Sequence, residues 1–512
     1  MAGRARAFTS RLRGWHLFLV VAVFNRMVTR EEFQSLYDQG PDAGYALVVA
    51  LQTTIAAQQE QTVQLTARVR QLEDRLGKDS HNSSKPPSSD GLAKKPTPKS
   101  LRGKSGRRSG GQPGHPGRTL EFAERPDHTV AHSPRQCQHC GASLDEAAIT
   151  GTERRQVFDL PPLKLEVTEH QAHTRCCPDC GHNNRGEFPQ HVAHRLQYGP
   201  RIKGSATYLL HYQLLPFERV SEMMRDLFGA SLCEGTLQNT TQQAFAALAD
   251  VETSIYKAVC NSHLAHFDET GMRIAGKLNW LHVASTPTLT FYASDPRRGR
   301  VALDAIGILA QFRGRAIHDG LSAYTEYGCL HALCNAHHLR ELTAIEEQYQ
   351  QPWAKQIREL LCEIKRTVDL AKERGQLCLP PLEAADFHTR YQAILAIGYA
   401  ANPPPQPTGR KGRPKQGPVR SLLLRLDEYR DEVLAFMYDF RVPFDNNQAE
   451  RDLRMMKVKQ KVSGCFRTQP GAQAFCRIRG YISTLRKQGQ QVLNALQQVF
   501  MCTPVIPALT TE

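Results

Sequence analysis

The sequence predicts a multidomain α/β protein, because three different residue patterns follow one another along its 512 residues. A heptad of apolar residues covers residues 48–76, two Cys-x-x-Cys pairs fall between residues 137 and 180, and β-rich runs cover residues 264–293. The first pattern is typical of a coiled coil, the second of a small metal-binding module and the third of a sheet. A chain of this length has room for several such domains.

The composition predicts a polyanionic partner. The chain carries 65 Lys and Arg residues against 50 Asp and Glu, a net charge of +15. This charge is clustered, because residues 78–118 contain ten basic residues and two aspartates, and such a cluster suits a nucleic acid. Fourteen cysteines do not form a dense disulfide framework in a chain of this length. They predict metal binding in a reducing, cytoplasmic compartment.

Residues 1–27 imitate a signal peptide, since four arginines precede the apolar run Trp15–Phe24. No small-residue cleavage site follows, and the run is too short to span a bilayer. We expect an upstream extension, with Met27 as the start of the protein; an uncleaved membrane anchor is the alternative. No other segment is apolar enough to span a membrane, so no membrane partner is expected.

Residues 28–78 are predicted to form an N-terminal helical region with a coiled coil. The seam comprises Val48, Leu51, Ile55, Gln58, Thr62, Leu65, Val69, Leu72 and Leu76. Its steps of three and four are those of a heptad. We expect this helix to join chains into a homo-oligomer; the alternative is an amphipathic helix packed on its own chain.

Residues 79–119 are predicted to form a flexible basic linker. They are rich in Ser, Pro, Gly, Lys and Arg and too polar to bury a core. Their cations can neutralise phosphates without reading a base sequence. A plain linker without DNA contact is the alternative.

Two Cys-x-x-Cys pairs predict a structural zinc site. They are Cys137, Cys140, Cys177 and Cys180. Paired thiolates on two tight turns supply a tetrahedral, closed Zn²⁺ site. The wide gap between the pairs favours a zinc ribbon over residues 120–190, with strands between the pairs. Cys176 and His139 are competing donors that lack the spacing, and disulfides or unbound thiols are the alternative.

Residues 191–250 are predicted to be helical. Two short helices with a tight turn between them fit either a helix-turn-helix DNA reader or plain helical core. Nothing in the segment identifies side chains that read bases.

Two aspartates end short apolar runs further along the chain. Asp268 lies in His266–Gly271 and Asp319 precedes Gly320, with β-rich runs between them. Aspartates at the ends of neighbouring strands converge on one point, and Mg²⁺ or Mn²⁺ prefers such oxygen ligands. Taken singly, each aspartate also fits an ordinary turn.

A third acid, Glu450, lies in a predicted helix that Asp445 or Asn446 caps. The polar face of this helix comprises Asn447, Glu450, Arg454 and Lys457, and the apolar face comprises Ala449, Leu453 and Met456. One interpretation is a solvated face of ion pairs. The other is a metal-ligand glutamate beside cations that hold phosphates, and the two aspartates favour it.

Four segments together resemble the DDE transposases of the insertion sequence sixty-six family. They are His266–Gly271, His318–Tyr324, Cys334–His337 and Asp445–Arg454. The resemblance runs from Val28 to Gln488 and implies an RNase H-like catalytic domain at residues 251–488. It implies that Asp268, Asp319 and Glu450 hold Mg²⁺ or Mn²⁺, and that the protein cleaves element ends and transfers them into target DNA.

Supporting roles follow from the same resemblance. Cys334 and His337 match a Cys-x-x-His that follows the second acid in such cores, with a structural or site-supporting role. The other supporting residues are Asn447, Arg451 and Arg454, and the candidate DNA contacts are Lys457, Lys459 and Lys461. The family also carries a zinc-binding domain and works with small accessory proteins of the same element.

The long gap between the second and third acids predicts a helical insertion in the catalytic domain, at residues 340–440, and residues 489–512 are a predicted C-terminal tail. A bacterial cytoplasmic protein at the nucleoid is expected. Two other functions stay open. One is an RNase H-like nuclease without strand transfer; the other is a zinc-ribbon, coiled-coil DNA-binding regulator, including an inactive transposase descendant.

Overall fold

The structure, a computed structural model, describes residues 29–76, 114, 120–161, 163–405 and 416–510. The chain divides into two units, one of residues 1–98 and 340–354 and the other of residues 99–339 and 355–512. The predicted upstream extension lies outside the described residues, as does the predicted basic linker apart from Gly114.

The first unit contains two helices near the start of the chain, α1 (Arg30–Tyr37) and α2 (Pro41–Leu76). Gly40 joins them with a φ of +93°, a conformation that glycine adopts at little cost. The predicted seam lies along α2, and Val48, Ile55 and Leu65 are each more than half exposed. A long helix with an exposed apolar seam is typical of a single helix of a coiled coil before it pairs with another. Pairing with a second chain stays a prediction.

The cysteine-rich segment of the second unit contains one short strand pair. β1 (Thr174–Cys176) and β2 (Asn183–Arg185) pair in antiparallel fashion around the second cysteine turn. A single bridge, Gln136 with Ser143, flanks the first cysteine turn. The sequence predicts strands between the two turns, but among the described residues of that segment only β1 is a strand, and it pairs with a strand beyond the second turn. The reason is local: each turn closes its own hairpin.

Four helices and a π-helical turn follow. They are α3 (Pro200–Thr207), the π-helical turn (Tyr208–Tyr212), α4 (Phe217–Phe228), α5 (Glu234–Ala247) and α6 (Ala249–Cys260). Val220, Met224 and Leu237 are fully buried between them. A Cβ atom on Gly204 of α3 would lie 2.8 Å from Gln497 Cγ, so this close approach of two helices requires glycine.

A five-stranded sheet forms the centre of the second unit. Its strands are β3 (Leu264–Ile274), β4 (Lys277–Ser285), β5 (Thr290–Asp295), β6 (Arg315–His318) and β7 (Leu330–Leu333). The order across the sheet is β5-β4-β3-β6-β7. β3, β4 and β5 are antiparallel neighbours, whereas β3, β6 and β7 are parallel. Two short helices, α7 (Arg300–Ile306) and α8 (Ile308–Gln311), lead from β5 to β6.

The remaining helices follow β7 along the chain. They are α9 (Asn335–Tyr349), α10 (Pro352–Glu373), α11 (Pro381–Ala401), α12 (Pro418–Glu428), α13 (Arg430–Tyr438), α14 (Asn447–Val462), α15 (Gln469–Lys487) and α16 (Val492–Phe500). α13 packs on β7, α14 on β3 and β4, and α15 on β5. The predicted C-terminal tail therefore contains a packed helix, because the apolar residues of α16 recur at helical spacing and Leu496 and Val499 are buried.

Both faces of the sheet are covered. Ala265 and Phe267 of β3 join a core with α6, α8 and α16, while Met272 and Ile274 join a core with α14 and α15. This division follows the alternation of side chains along a strand. In the part of the chain that the structure describes, no helix combines the length and the apolar character needed to cross a membrane.

Candidate active site

Asp268 and Asp319 lie side by side because β3 and β6 are parallel neighbours. The last paired residues of the two strands are His266 and Ile317, and each aspartate stands two residues further along. One carboxylate oxygen from each aspartate and one from Glu269 lie within 4.8 Å of one another. The predicted convergence of the two aspartates is therefore present in the structure.

The prediction that a strand ends at Asp268 is wrong. β3 continues to Ile274, and Asp268 pairs with Val283 of β4. The turn after β3 falls at Ala275 and Gly276, both with positive φ. Only the pairing with β6 stops near the acid, so Asp268 still lies at an edge where β3 has a neighbour on one side only.

Burial sets the electrostatics of this pair. Burial raises the pKa of Asp268 well above its usual value, and the nearby carboxylates of Glu269, Asp319 and Glu450 raise it further. One backbone N–H group opposes this rise in part, because Glu269 N donates to Asp268 Oδ1 at 2.8 Å. Leu321 N donates to Asp319 Oδ1 at 3.1 Å. Several carboxylates that disfavour one another's charge form a site that a divalent cation would stabilise.

Glu269 is a site residue that the sequence interpretation missed. Its side chain is fully buried, and it accepts hydrogen bonds from Arg298 Nε at 2.7 Å and Tyr324 Oη at 2.6 Å. The Arg298 guanidinium lies 4.9 Å from the centre of the Trp280 ring. Strand alternation favours opposite faces for Glu269 and Asp268, but one carboxylate oxygen of each lies within 4.8 Å of the other. The hydrogen bonds from Arg298 and Tyr324 hold Glu269 in this position.

Glu450 lies in the first turn of α14, and Asn446 ties that turn to β3. Asn446 Nδ2 donates to Phe267 O at 2.8 Å, and Asn446 Oδ1 lies 2.7 Å from His266 Nδ1. Because an amide oxygen only accepts, His266 donates from Nδ1. Burial lowers the pKa of His266 to about 4, so its ring is neutral near pH 7. These bonds fix the start of α14 against β3. Glu450 itself joins a cluster of candidate ligands with Cys334 and His337, whereas Asp268 and Asp319 cluster with Glu269.

The helix that carries Glu450, α14, has the predicted cap and the predicted apolar face. Asp445 Oδ1 accepts from Asn447 N at 3.1 Å, so Asp445 supplies the capping oxygen, whereas Asn446 turns inward. Ala449, Leu453 and Met456 are buried, as their spacing predicted.

Cys334 and His337 reach Glu450 from the start of α9. One ligand atom from each of the three residues lies within 4.8 Å of the others, and His337 Nε2 is 3.9 Å from Glu450 Oε1. Asn446 N donates to Cys334 Sγ at 3.1 Å. Burial raises the pKa of the Cys334 thiol to about 12. Cys334 and His337 thus adjoin the third acid rather than filling a remote core.

His318, directly before Asp319, holds the end of β6. Gly320 N donates to His318 Nδ1 at 3.1 Å, so the ring proton lies on Nε2, which is 3.1 Å from His331 Nδ1. The His318 ring also stacks on Tyr324 at 4.8 Å between ring centres. Burial lowers the pKa of His318 to about 3. A neutral histidine that makes two hydrogen bonds therefore fixes the backbone that carries Asp319.

Arg425 brings a cation from α12 into the site. Burial lowers the pKa of its guanidinium, and the negative charge of Asp319 opposes that shift. Arg425 lies more than a hundred residues from Asp319 in the sequence and belongs to no motif, so no sequence signal identified it.

The remaining predicted residues of α14 occupy different surroundings. Arg451, Arg454 and Lys461 are exposed. Lys457 Nζ donates to Gly271 O at 3.1 Å. Lys459 Nζ lies 4.6 Å from the centre of the Phe466 ring, and burial lowers its pKa to about 8. Asn447 Nδ2 donates to Asp445 at 2.6 Å. Of these cations, Arg451, Arg454 and Lys461 are therefore the ones whose side chains are open to solvent.

The four ribbon cysteines form two similar turns. Gly141 N donates to Cys137 O and Gly181 N to Cys177 O, each at 2.9 Å. Gly141 and Gly181 have φ angles of +72° and +73°. A residue with a side chain rarely adopts such a backbone conformation. N–H groups of the turn, chiefly those of Cys140 and Cys180, lower the pKa of Cys137 and Cys177 respectively. Among the described residues, two clusters of three candidate ligands are present, the one at Asp268 and the one at Cys334. Neither includes the ribbon cysteines.

Comparison with protein families assigns most of the chain. Residues 195–474, more than half of the chain, match the transposase IS66 family. Residues 134–181 match the zinc-finger binding domain of transposase IS66, and residues 35–121 match a family of unknown function (DUF6444). No curated protein matches the chain. The first match contains all three predicted acids, and the second contains all four ribbon cysteines.

Proposed function

The chain belongs to the IS66 family of transposases, and from this premise we propose that it cleaves the ends of a DNA element and joins them to target DNA. Asp268, Asp319 and Glu450 are the proposed catalytic carboxylates. The observation that carries the proposal is the arrangement of these acids: two lie on adjacent parallel strands, and the third lies on a helix that hydrogen bonds to the first strand.

The sheet supports an RNase H-like catalytic domain. Three antiparallel strands, β5, β4 and β3, continue into two parallel ones, β6 and β7. The first acid lies on the central strand, β3, and the second follows the strand beside it. Helices cover both faces. The helices between Asp319 and Glu450 are the proposed insertion, which supplies Arg425 to the site.

The donor set fits Mg²⁺ or Mn²⁺, since carboxylate oxygens predominate and the neighbouring acids raise the pKa of Asp268. When bound at Asp268, Asp319 and Glu450, such ions stabilise the attacking and the leaving oxygen of a phosphoryl transfer.

The surrounding residues position the three acids. His318 and Gly320 fix the turn at Asp319, and Asn446 fixes Glu450 against β3. Glu269 is held by Arg298 and Tyr324, so its charge is balanced. We propose that Glu269 keeps these partners and holds one carboxylate oxygen within 4.8 Å of those of Asp268 and Asp319, as a further oxygen donor beside the cations.

The exposed cations of α14 are the proposed DNA contacts closest to the acids. Arg451, Arg454 and Lys461 face solvent on the helix that carries Glu450, and Lys457 and Lys459 extend the same basic segment. Such contacts position a phosphate backbone and carry no base information. Specific recognition of element ends then depends on other parts of the chain. The candidates are helices α4 and α5 and the cysteine ribbon.

The cysteine ribbon is proposed to hold one structural Zn²⁺ through Cys137, Cys140, Cys177 and Cys180. The zinc-finger match covers all four, and each turn already directs N–H groups at a thiol. Four thiolates leave no open position, so this metal would support the fold of the ribbon rather than take part in chemistry.

The catalytic assignment predicts the effect of Glu450→Gln, which keeps the shape of the side chain but removes a ligand charge. We expect end cleavage and joining in Mg²⁺ to fall on the order of 10³-fold or more, with binding of element ends retained. Glu383→Gln is the matched control, because Glu383 is an exposed glutamate in the first turn of α11. Normal cleavage by the Glu450 variant would refute the assignment.

The products distinguish the rival functions. Element ends joined to target DNA indicate a transposase, and cleaved ends without joined products indicate a nuclease. End binding without cleavage by the unaltered chain indicates a DNA-binding regulator or an inactive descendant.

Assembly through α2 is the proposed means of bringing two element ends together, with small accessory proteins as further partners. Replacing Leu65 and Leu72 with Lys places charges in the apolar seam, where pairing would desolvate them. We expect a smaller species by light scattering and weaker paired-end complexes. Ala57→Lys with Gln64→Lys adds the same charge off the seam and should keep the size. An unchanged size in the seam variant would assign assembly elsewhere.

A further inference from the structure

We propose that Cys334, His337 and Glu450 form a second cation site, which takes a borderline-soft divalent ion such as Zn²⁺ and shares Glu450 with the carboxylate site. The site would lie where β7, α9 and α14 meet.

The backbone presents two of the donors from a single turn. Cys334 follows β7 directly, and His337 lies in the first turn of α9. Cys334 N donates to His318 O at 3.0 Å, and His337 N donates to Cys334 O at 3.1 Å. The turn is therefore closed and anchored to β6. A Cys-x-x-His spacing on a closed turn presents a sulfur and an imidazole to the same side.

Glu450 completes the group from the opposite element. Its Oε1 atom is buried and, within the described residues, accepts no hydrogen bond. It lies 3.9 Å from His337 Nε2, which is too long for a hydrogen bond. A tetrahedral Zn²⁺ with ordinary bond lengths separates its ligand atoms by about 3.3–3.8 Å. The 3.9 Å gap between imidazole and carboxylate is wider by about 0.5 Å than tetrahedral Zn²⁺ requires for a nitrogen and an oxygen ligand. The two side chains would therefore draw together slightly when the cation binds.

The donor types select the cation. A thiolate, an imidazole and a carboxylate suit Zn²⁺ or Co²⁺, whereas Mg²⁺ avoids sulfur. The N–H of Asn446 points at Cys334 Sγ from 3.1 Å, as outer N–H groups do toward metal-bound thiolates. Binding replaces the S–H bond of Cys334 by a sulfur–metal bond and releases the proton to solvent. Three protein ligands leave a fourth position open.

Sharing Glu450 has a consequence that rests on the proposed function. A carboxylate turned toward Cys334 and His337 is withdrawn from Asp268 and Asp319. Zn²⁺ at the second site would therefore oppose the Mg²⁺-dependent reaction, and the two ions would compete for one side chain.

A cobalt titration tests the site itself. The full chain is first given one equivalent of Zn²⁺ to fill the ribbon, and Co²⁺ is then added. We expect about one further equivalent to bind, with the visible bands of a four-coordinate ion and a near-ultraviolet sulfur-to-cobalt band. Cys334→Ser and His337→Gln should each lose this absorption. Cys476→Ser should keep it, because Cys476 is a buried cysteine of α15 outside both ligand clusters.

The outcomes separate this site from the proposed function. No cobalt absorption in the unaltered chain, or absorption that persists in the His337 variant, overturns the second site whatever the cleavage activity. Where cobalt binds as expected, zinc should inhibit Mg²⁺-supported cleavage in the unaltered chain at least tenfold, and whatever cleavage His337→Gln retains should change less than twofold. Cobalt binding in a chain that cleaves no DNA would refute the proposed function and leave the site standing.

Discussion

The carboxylate site and the cysteine ribbon both gather ligand-bearing side chains, but they are held together by different forces. Around the carboxylates, Ala265, Phe267 and Ala449 are buried, and side chains far apart in sequence hydrogen bond across the sheet. In the ribbon region, Val157, Leu160 and Val167 are each at least 80% exposed. The first site is built on a core, and the second has none of comparable size in its described residues.

This difference implies opposite responses to metal. A site preformed by packing holds its acids close together at an electrostatic cost, which a cation relieves. A segment without a core owes its folding free energy to the metal. The same operation, removal of metal, should therefore unfold one region and leave the other folded.

The largest effect is expected in the ribbon. Cys177→Ser, or a strong chelator, removes metal binding worth about 10–16 kcal/mol in small zinc domains. We expect backbone amides near Cys177 to lose hydrogen-exchange protection, while those of β3 and α14 keep theirs. Cys378→Ser, which replaces an exposed cysteine outside the ribbon, should change neither. Ribbon amides that stay protected in chelator would show that packing alone holds this region.

A smaller effect is expected from Asn446→Ala, which removes the tie between α14 and β3. The change leaves Phe267 O and His266 Nδ1 without their amide partner, and a buried group without a partner costs about 1–3 kcal/mol. We expect β3 to lose about 2–4 kcal/mol of stability by hydrogen exchange, with zinc content unchanged. Asn494→Ala on the exposed face of α16 is the control. A cost no larger than that of the control would show that packing alone positions Glu450.

The smallest effect has the opposite sign. Folding raises the pKa of Asp268 above its ordinary value of 3.8, so the ionised carboxyl destabilises the metal-free protein at neutral pH. Asp268→Asn should therefore stabilise the sheet by about 1–2 kcal/mol in buffer free of divalent ions. The gain should shrink as the pH falls below the raised pKa of the folded state and vanish below 3.8, where the carboxyl is protonated in both states. Thermal unfolding at pH 7 and pH 5 measures it, and a loss of stability at pH 7 would contradict the electrostatic account.

The sequence by itself determined the features that depend on short spacings. Cys-x-x-Cys pairs, a heptad and the faces of α14 are set by residues only a few positions apart. The order of the three acids along the chain, together with the resemblance to a known family, was also enough to single out Asp268, Asp319 and Glu450. The coiled-coil pairing and the zinc ligation stay predictions, since both depend on a partner beyond the single chain.

Only the tertiary structure decided what surrounds the acids. Arg298 and Arg425 belong to no motif, and Glu269 lies in the segment His266–Gly271 without a role that the sequence indicates. Their contacts with the site come from β3, the loop after β5 and α12. Asn446 lies within one of the motifs, but its hydrogen bonds reach His266 and Phe267, which are 180 and 179 residues away in the sequence. The reason is physical: a desolvated charge or amide is stable only beside specific partners, and the partners are chosen by how the sheet and helices pack.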